Sequence, residues 1–265
     1  PAVSDNWRSW KAHPLQRERE LPHNSSEQSG KTVRTSHLMA RRSRIAWIIG
    51  FCLLLLIPAP SQRASAQSGS ILRIYLARHG QTDWNLEGRT QGGTDILLNA
   101  TGRQQALQLK TWLKDIPFAS VYSSTLSRSR ETAETVRGRA PLTSLPGLGE
   151  RRFGKFEGLL TSDPQAGPEF ERRRWTPDDS LDGGESLDAF ADRVRTTIDG
   201  IRKQRRSGTI LIVGHANTNQ MILRILLNLT VDQMRTITQD NNELYLIELE
   251  SGKTPRLWKL ITETN

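Results

Sequence analysis

Two histidines end two apolar runs. His79 follows "ILRIYLA" and Arg78, and His215 follows "TILIVG". Open α/β sheets bind ligands in the crevice at the carboxyl ends of their strands, which is where both residues would lie. They are also the only histidines after residue 70, since His13, His23 and His37 precede it. One histidine after a strand is ordinarily structural; two in equivalent positions point to a shared site. A neutral imidazole is a nucleophile as well as a proton carrier. Arg78 reads either as a strand-end surface cation or as a planar donor fork for a tetrahedral oxyanion. Gly80 lets the chain turn tightly or approach a ligand closely. Thr82 and Asn85 add neutral hydrogen-bonding groups, although such residues also simply form turns. Together these residues suit attack by an imidazole on an anionic group.

The elements that must position them alternate. Strands are expected at "ILRIYLA", at "ASVYSS" (119–124) and at "TILIVGH" (209–215), the last nearly continuous in apolar residues, as in a strand covered on both faces. "ELYLIELE" (243–250) alternates, and "RLWKLI" can pair with it across Ser251-Gly252-Lys253. Between these, helices are expected from Asn99 or Thr101 to Lys114, from Ser127 to Arg137, from Ser186 to Arg205 and from Asn217 to Leu229. The alternation predicts an α/β fold, a three-layer α/β/α sandwich with a mostly parallel central sheet. Thr161 to Gly184, rich in Pro and charge, reads as a long, partly helical excursion.

The first quarter of the chain reads differently. Residues 1–38 lack apolar periodicity and are expected to be a disordered upstream extension. Residues 39–66 have the parts of a signal peptide: Arg41, Arg42 and Arg44, then an apolar run from Ile45 to Ile57, then Ala64-Ser65-Ala66. The expected localisation is therefore export, periplasmic or secreted, after cleavage; the alternative is an N-terminal membrane anchor if 45–57 is retained. The folded domain is expected over 70–265. Net charge is +9, but residues 1–70 hold 10 Lys+Arg against 4 Asp+Glu and the rest 27 against 24. The excess thus lies largely outside the domain, which argues against a nucleic-acid partner. The single cysteine, Cys52, lies in the apolar run, so the domain has neither disulfides nor thiolate metal sites.

Five stretches, in order, resemble one family. "LARHGQTDWN", "VYSSTLSRSRETAET", "LGERRFGKFEG", "GGESLDAFADRV" and "LIVGHANTNQMILRILL", followed by "QDNNELYLIEL", are similar to the motifs of the histidine phosphatase superfamily, the phosphoglycerate mutase-like group. The resemblance covers roughly Ile71 to Leu249 and implies a phosphoglycerate mutase-like fold. It implies that His79 is phosphorylated, that Arg78, Arg128 and His215 hold the phosphoryl oxygens, and that Glu150 is the general acid. Thr82 and Asn85 match positions that contact phosphate or position the nucleophile. The family pattern selects Arg128 over its neighbour Arg130. No metal or cofactor is implied, and the partner is a small phosphorylated substrate. Many relatives have glycine after the second histidine, where this chain has Ala216 and Asn217. Alanine keeps a backbone N–H close to phosphate but narrows the accessible conformations.

These roles fit phosphoryl transfer, which depends on positioning and on stabilising charge at the equatorial oxygens. His79 must attack as the neutral imidazole, its other nitrogen fixed by a hydrogen bond such as one to a backbone carbonyl; neighbouring cations favour that form. Glu157 is expected to stabilise a turn, and Glu185 either caps a helix or reaches the pocket. The interval from Glu150 to His215 is compact compared with mutase members, which favours a phosphomonoester hydrolase over a bisphosphate-primed mutase. A third reading is a membrane-tethered, non-catalytic phosphate-binding scaffold. Specificity is expected from Phe153 to Gly184, with Phe156, Phe170, Arg173 and Trp175 as candidates. Oligomeric state is left open.

Overall fold

The structure, a computed structural model, describes residues 10–14 and 70–262. The sheet has seven strands: β1 (Trp10–Pro14), β2 (Ile71–Arg78), β3 (Ser120–Ser123), β4 (Leu142–Ser144), β5 (Gly208–Gly214), β6 (Glu243–Glu250) and β7 (Arg256–Thr262). Their spatial order is β1-β7-β6-β2-β5-β3-β4. The contiguous half β2-β5-β3-β4 is parallel, while β6, β7 and β1 add antiparallel strands at one edge. The 243–250 and 256–261 runs pair as their alternation predicts.

Helices cover both faces, and side-chain alternation along β2 divides the core. Leu72, Ile74 and Leu76 face α5 (Leu187–Gln204) and α6 (Ala216–Leu227), meeting Phe190, Val194, Ile198, Met221 and Ile222. Tyr75 and Ala77 face the other way, toward α2 (Ala100–Leu113) and α3 (Ser127–Val136), with Leu109, Leu113, Ala133 and Val136. On a pleated strand successive side chains point to opposite faces, so a helix layer on each side needs an apolar run without polar interruption. β5 supplies one: Ile210 to Val213 are all fully buried. Side chains close the expected helix starts, Asn99 accepting from Gly102 N at 2.9 Å and Ser186 from Ala189 N at 3.2 Å.

The elements not foreseen are short: α1 (Asp83–Leu86), β4, α7 (Val231–Arg235) and β1. The 161–184 excursion contains α4 (Ala166–Arg173) and, with the loop before it, builds a small core from Phe153, Phe156, Phe170 and Leu181. Arg173 fastens it through Asp179, Asp182 and Glu169.

Within residues 1–38, expected to be a disordered extension, the described residues are Trp10–Pro14. Trp10–Pro14 pairs antiparallel with β7, from Trp10↔Thr262 to Pro14↔Trp258. The outer edge of β7 otherwise offers unpaired backbone groups, and a short extended peptide satisfies them; Pro14, which has no N–H, stands at the strand's end. The segment expected to be a signal, 39–66, lies outside the described residues, as do Cys52 and the rest of 1–38. Among the described residues no helix is long and apolar enough to cross a membrane.

Candidate active site

The two histidines meet because their strands are parallel neighbours in register. Arg78 pairs with Gly214, and His79 N donates to Gly214 O at 3.1 Å, so the residue after each strand stands beside its counterpart. The ring centroids are 5.0 Å apart at an interplanar angle of 57°. His79 is 3% exposed and His215 fully buried.

Each ring has one nitrogen tied. His79 Nδ1 lies 2.7 Å from Gly80 O, an atom that can only accept, so Nδ1 carries the proton and Nε2 the lone pair. His215 Nε2 lies 2.7 Å from Ser124 Oγ, while its Nδ1 is buried without a partner. Burial, then the charges of Arg128 and Arg78, push His79 well below its ordinary value of 6.5, against the opposing effect of the Gly80 bond. Burial also dominates for His215, helped by Arg128, His79, Arg78 and Arg193. Both imidazoles are therefore neutral near pH 7.

Two guanidinium groups flank them. Arg128, fully buried at the start of α3, donates from Nη1 to Thr94 O (2.8 Å) and from Nη2 to Gly92 O (2.9 Å). Arg78 donates from Nη1 to Gln239 O at 2.9 Å. These partners are carbonyl oxygens, not carboxylates, and the Nε of each arginine is buried and unpaired. Desolvation lowers both, Arg128 to about 10, with Glu150 pulling the other way. Two desolvated cations with spare donors form a site that an incoming anion would complete.

Glu150 closes the site from the start of α6. Its Oε1 accepts from Arg151 N, Thr218 N and Thr218 Oγ1, and its Oε2 from Asn217 N and Asn217 Nδ2, all at 3.0 to 3.2 Å. A helix N-terminus presents free N–H groups and favours an anion, so the carboxylate is held by the second and third residues of α6. The first, Ala216, lines the cavity. That cavity is about 150 Å³ and is lined by Arg78, His79, Asn85, Arg128, Glu150 and Ala216, with residues 89–92, Phe153, Thr161, Phe170, Arg174 and Asn217.

The sequence profile of the histidine phosphatase superfamily (branch 1) matches residues 74–260. The chain belongs to that superfamily. It is 33% identical over 144 residues to the uncharacterized phosphatase PhoE of Bacillus subtilis, spanning 54% of this chain and 70% of that one. It is 35% identical over 162 residues to phosphoglycerate mutase-like protein 4 of Arabidopsis thaliana, spanning 58% and 70%. Among solved structures, the alpha-ribazole phosphatase of Shigella flexneri superposes with a TM-score of 0.62 at 27% identity, covering 73% of this chain and all of that one. Phosphoserine phosphatase of Entamoeba histolytica gives 0.58 at 25% identity, covering 68% and 95%. The class these phosphatases share is hydrolase, and this chain is a histidine phosphatase of that class.

In this histidine phosphatase, Arg78, His79, Asn85, Arg128, Glu150 and Ala216 line the cavity, His215 stands behind against the His79 ring without lining it, and Arg130 faces solvent. Thr82 departs from the expected substrate contact. It is fully buried, does not line the cavity, and caps α1: its Oγ1 accepts from Asn85 N at 3.2 Å while Asn85 Oδ1 receives the Thr82 N–H. It thereby fixes Asn85, which does line the cavity. Gly80 likewise serves packing: a Cβ there would meet Gly102 O at 2.3 Å, where α2 crosses it. Glu157 binds the N–H groups of Gly93, Thr94 and Phe153, the turn-stabilising role expected. Glu185 pairs with Arg193 at 2.7 Å and does not line the cavity.

Of the four specificity candidates only Phe170 lines the cavity. Phe156 is buried in the excursion's core, Trp175 packs on the main core, and Arg173 is taken up by its carboxylates. From the excursion it is Arg174 that reaches the cavity, stacked on Trp175 (4.6 Å) and Phe170 (4.9 Å), with Nη2 donating to Asn217 Oδ1 at 2.5 Å. Four supports were not foreseen. Gln239 accepts from Arg78 through its carbonyl and donates from Nε2 to Leu76 O, Asn241 donates to His79 O, and Ser124 and Asn217 bind His215 and Glu150. Their signal in the sequence was weak: each is an uncharged polar residue of a type that ordinarily forms turns or caps helices.

Proposed function

We propose that this chain hydrolyses phosphomonoesters through a phosphohistidine on His79, with Glu150 as proton donor and then acceptor, and without a metal. The observation that carries the reading is the Nδ1–H to Gly80 O bond, which leaves the lone pair on His79 Nε2 beside two arginines without carboxylate partners. In the first step Nε2 attacks phosphorus, the P–O bond to the alcohol breaks, and the leaving oxygen takes the Glu150 proton. In the second, water attacks phosphorus, its proton passes to the Glu150 carboxylate, the P–N bond breaks, and inorganic phosphate and neutral His79 are restored. Arg78, Arg128, the free His215 Nδ1 and the Ala216 N–H support the equatorial oxygens.

A cavity of about 150 Å³ suits a compact substrate. Arg89, Arg174, Phe153 and Phe170 also line it and are the groups available to a leaving group. The matched relatives are named both as phosphatases and as phosphoglycerate mutases, so the test must separate water from a second substrate as the acceptor. The full chain is incubated with p-nitrophenyl phosphate in chelator beside His79→Ala. Release that ignores chelator, disappears in the variant, and passes through an acid-labile phosphoenzyme supports the hydrolase. Bisphosphate-dependent interconversion of monophosphoglycerates without net release would replace it by the mutase, and no turnover of any phosphomonoester by a non-catalytic role. Export by cleavage after Ala64-Ser65-Ala66 belongs to the same proposal, and amino-terminal sequencing of the mature protein tests it.

A further inference from the structure

The bond between Ser124 and His215 decides which nitrogen of the second histidine carries its proton. Ser124 directly follows β3, and the pairing Ser123↔Val213 brings it alongside the end of β5. It is fully buried. A serine hydroxyl has one proton to give and two lone pairs. One lone pair accepts from Leu126 N at 3.2 Å. The acceptor that the structure offers to the proton is His215 Nε2, at 2.7 Å. If Nε2 carried the imidazole proton, it would point at that oxygen and the buried hydroxyl proton would lose its acceptor. With Oγ–H donating to Nε2, the hydroxyl both gives its proton and accepts one from Leu126 N. The imidazole proton then sits on Nδ1, the buried nitrogen that lacks a partner.

We infer that Ser124 is a positioning residue that locks neutral His215 in its Nδ1–H form, so that an uncharged imidazole donates a hydrogen bond to the bound phosphoryl group. The inference rests on the phosphoryl-binding reading for its purpose, but not for the tautomer itself. The logic mirrors that at His79. There a carbonyl, which can only accept, puts the proton on Nδ1; here a hydroxyl already engaged as an acceptor does the same by donating to the other nitrogen. Two neutral rings of identical type thereby divide their work, one offering a lone pair and the other a proton. Ser124 is itself held in place: its N–H donates to Ser129 Oγ at 3.0 Å, and Ser129 Oγ donates to Val213 O at 2.7 Å. The hydroxyl therefore has a fixed origin on the same parallel sheet as the ring it binds.

The test reads the tautomer directly. The full chain, labelled with ¹⁵N-histidine, is compared as wild type, Ser124→Ala and Ser124→Thr, with His215→Asn to assign the ring. Ring-nitrogen shifts should show Nδ1 protonated and Nε2 bare in the wild type and in Ser124→Thr, which keeps the hydroxyl. Ser124→Ala should populate the Nε2–H form and lower kcat for phosphomonoester hydrolysis by about 10²-fold, the lower end of the scale of one lost oxyanion donor. Ser124→Thr should recover most of that loss. A wild-type ring protonated on Nε2 overturns the inference, as does Ser124→Ala retaining the Nδ1–H signature. If Ser124→Ala does not fold, Ser124→Cys, a weaker donor of similar size, takes its place, and an unchanged tautomer in that variant counts equally against it. Loss of the proposed chemistry would appear separately, as hydrolysis that survives His79→Ala, and would leave the nitrogen shifts as they are.

Discussion

His79 and His215 face each other at 5.0 Å because residues 78 and 214 are register partners on adjacent parallel strands. Strands in a sheet lie roughly 4.8 Å apart, so the ring separation is set by the sheet rather than by loop conformation. A site held this way needs little rearrangement when its substrate arrives. His79→Ala is expected to lower kcat by about 10⁴-fold or more while phosphate binding falls far less, because the arginines stay in place. Rapid-quench kinetics with labelled substrate would check this through loss of the phosphoenzyme.

Both imidazoles titrate well below their ordinary 6.5. The acid limb of kcat/KM should therefore lie below pH 6.5, since protonation of a free histidine does not limit the nucleophile. The stability consequence has a definite sign. Below about 6.5 the unfolded chain takes up protons at these two positions that the native state refuses, so native stability falls with pH from 6.5 downward until the lowered values are reached. Urea midpoints at pH 7.5 and 5.5 should differ less for His79→Asn than for the wild type.

Glu150 accepts five hydrogen bonds around the start of α6, and its two functions can be separated by substitution. Glu150→Gln keeps the shape but not the proton transfer. Hydrolysis of alkyl phosphates should drop about 10²- to 10⁴-fold, with a smaller loss for p-nitrophenyl phosphate, whose leaving group needs less help. Glu150→Ala also strips buried donors of their acceptor and should cost about 1–3 kcal/mol of stability on top. A leaving-group series for Glu150→Gln with the same slope as the wild type would exclude the proton-transfer role.

Arg128 is fully buried with carbonyl partners only, and it gains from any anion that enters. Inorganic phosphate should raise the wild-type melting temperature. Arg128→Lys, a point charge without the planar fork, should lose most of that shift and about 10²-fold or more in kcat/KM. Thermal scans over a phosphate titration give the comparison.

Adjacent arginines in the excursion should behave differently. Arg174 lines the cavity and binds Asn217, which holds Glu150, whereas Arg173 is bound to Asp179, Asp182 and Glu169. Arg174→Met is expected to lower kcat/KM about 10-fold or more and to change substrate preference. Arg173→Met should instead loosen residues 161–184, seen as faster proteolysis, with kcat/KM per folded molecule changed less.

Arg78, His79 and His215 were legible in the chain because they fall at strand ends that apolar periodicity marks, whereas Arg128 and Glu150 were singled out by the family resemblance of their motifs. The parallel half of the sheet and the four long helices followed from the same patterns. Other assignments depended on which backbone a side chain meets in space. Thr82 reads as a pocket hydroxyl, but its nearest acceptor and donor are on Asn85 three residues away, and the cap consumes it. Phe156, Arg173 and Trp175 have the right types for a pocket wall, yet one small core, a trio of carboxylates and the main core claim them. The pairing of Trp10–Pro14 with β7 joins segments nearly the whole chain apart, and no local pattern announces it. The sequence by itself determined which residues carry charge, lone pairs and protons, and which elements bear them. Only the tertiary structure decided their pairings: hydrogen bonds and desolvation act over a few ångströms in space, whatever the separation along the chain, so Gly80 O and Ser124 Oγ could be recognised as setting the two tautomers only once strand register had brought them to the rings.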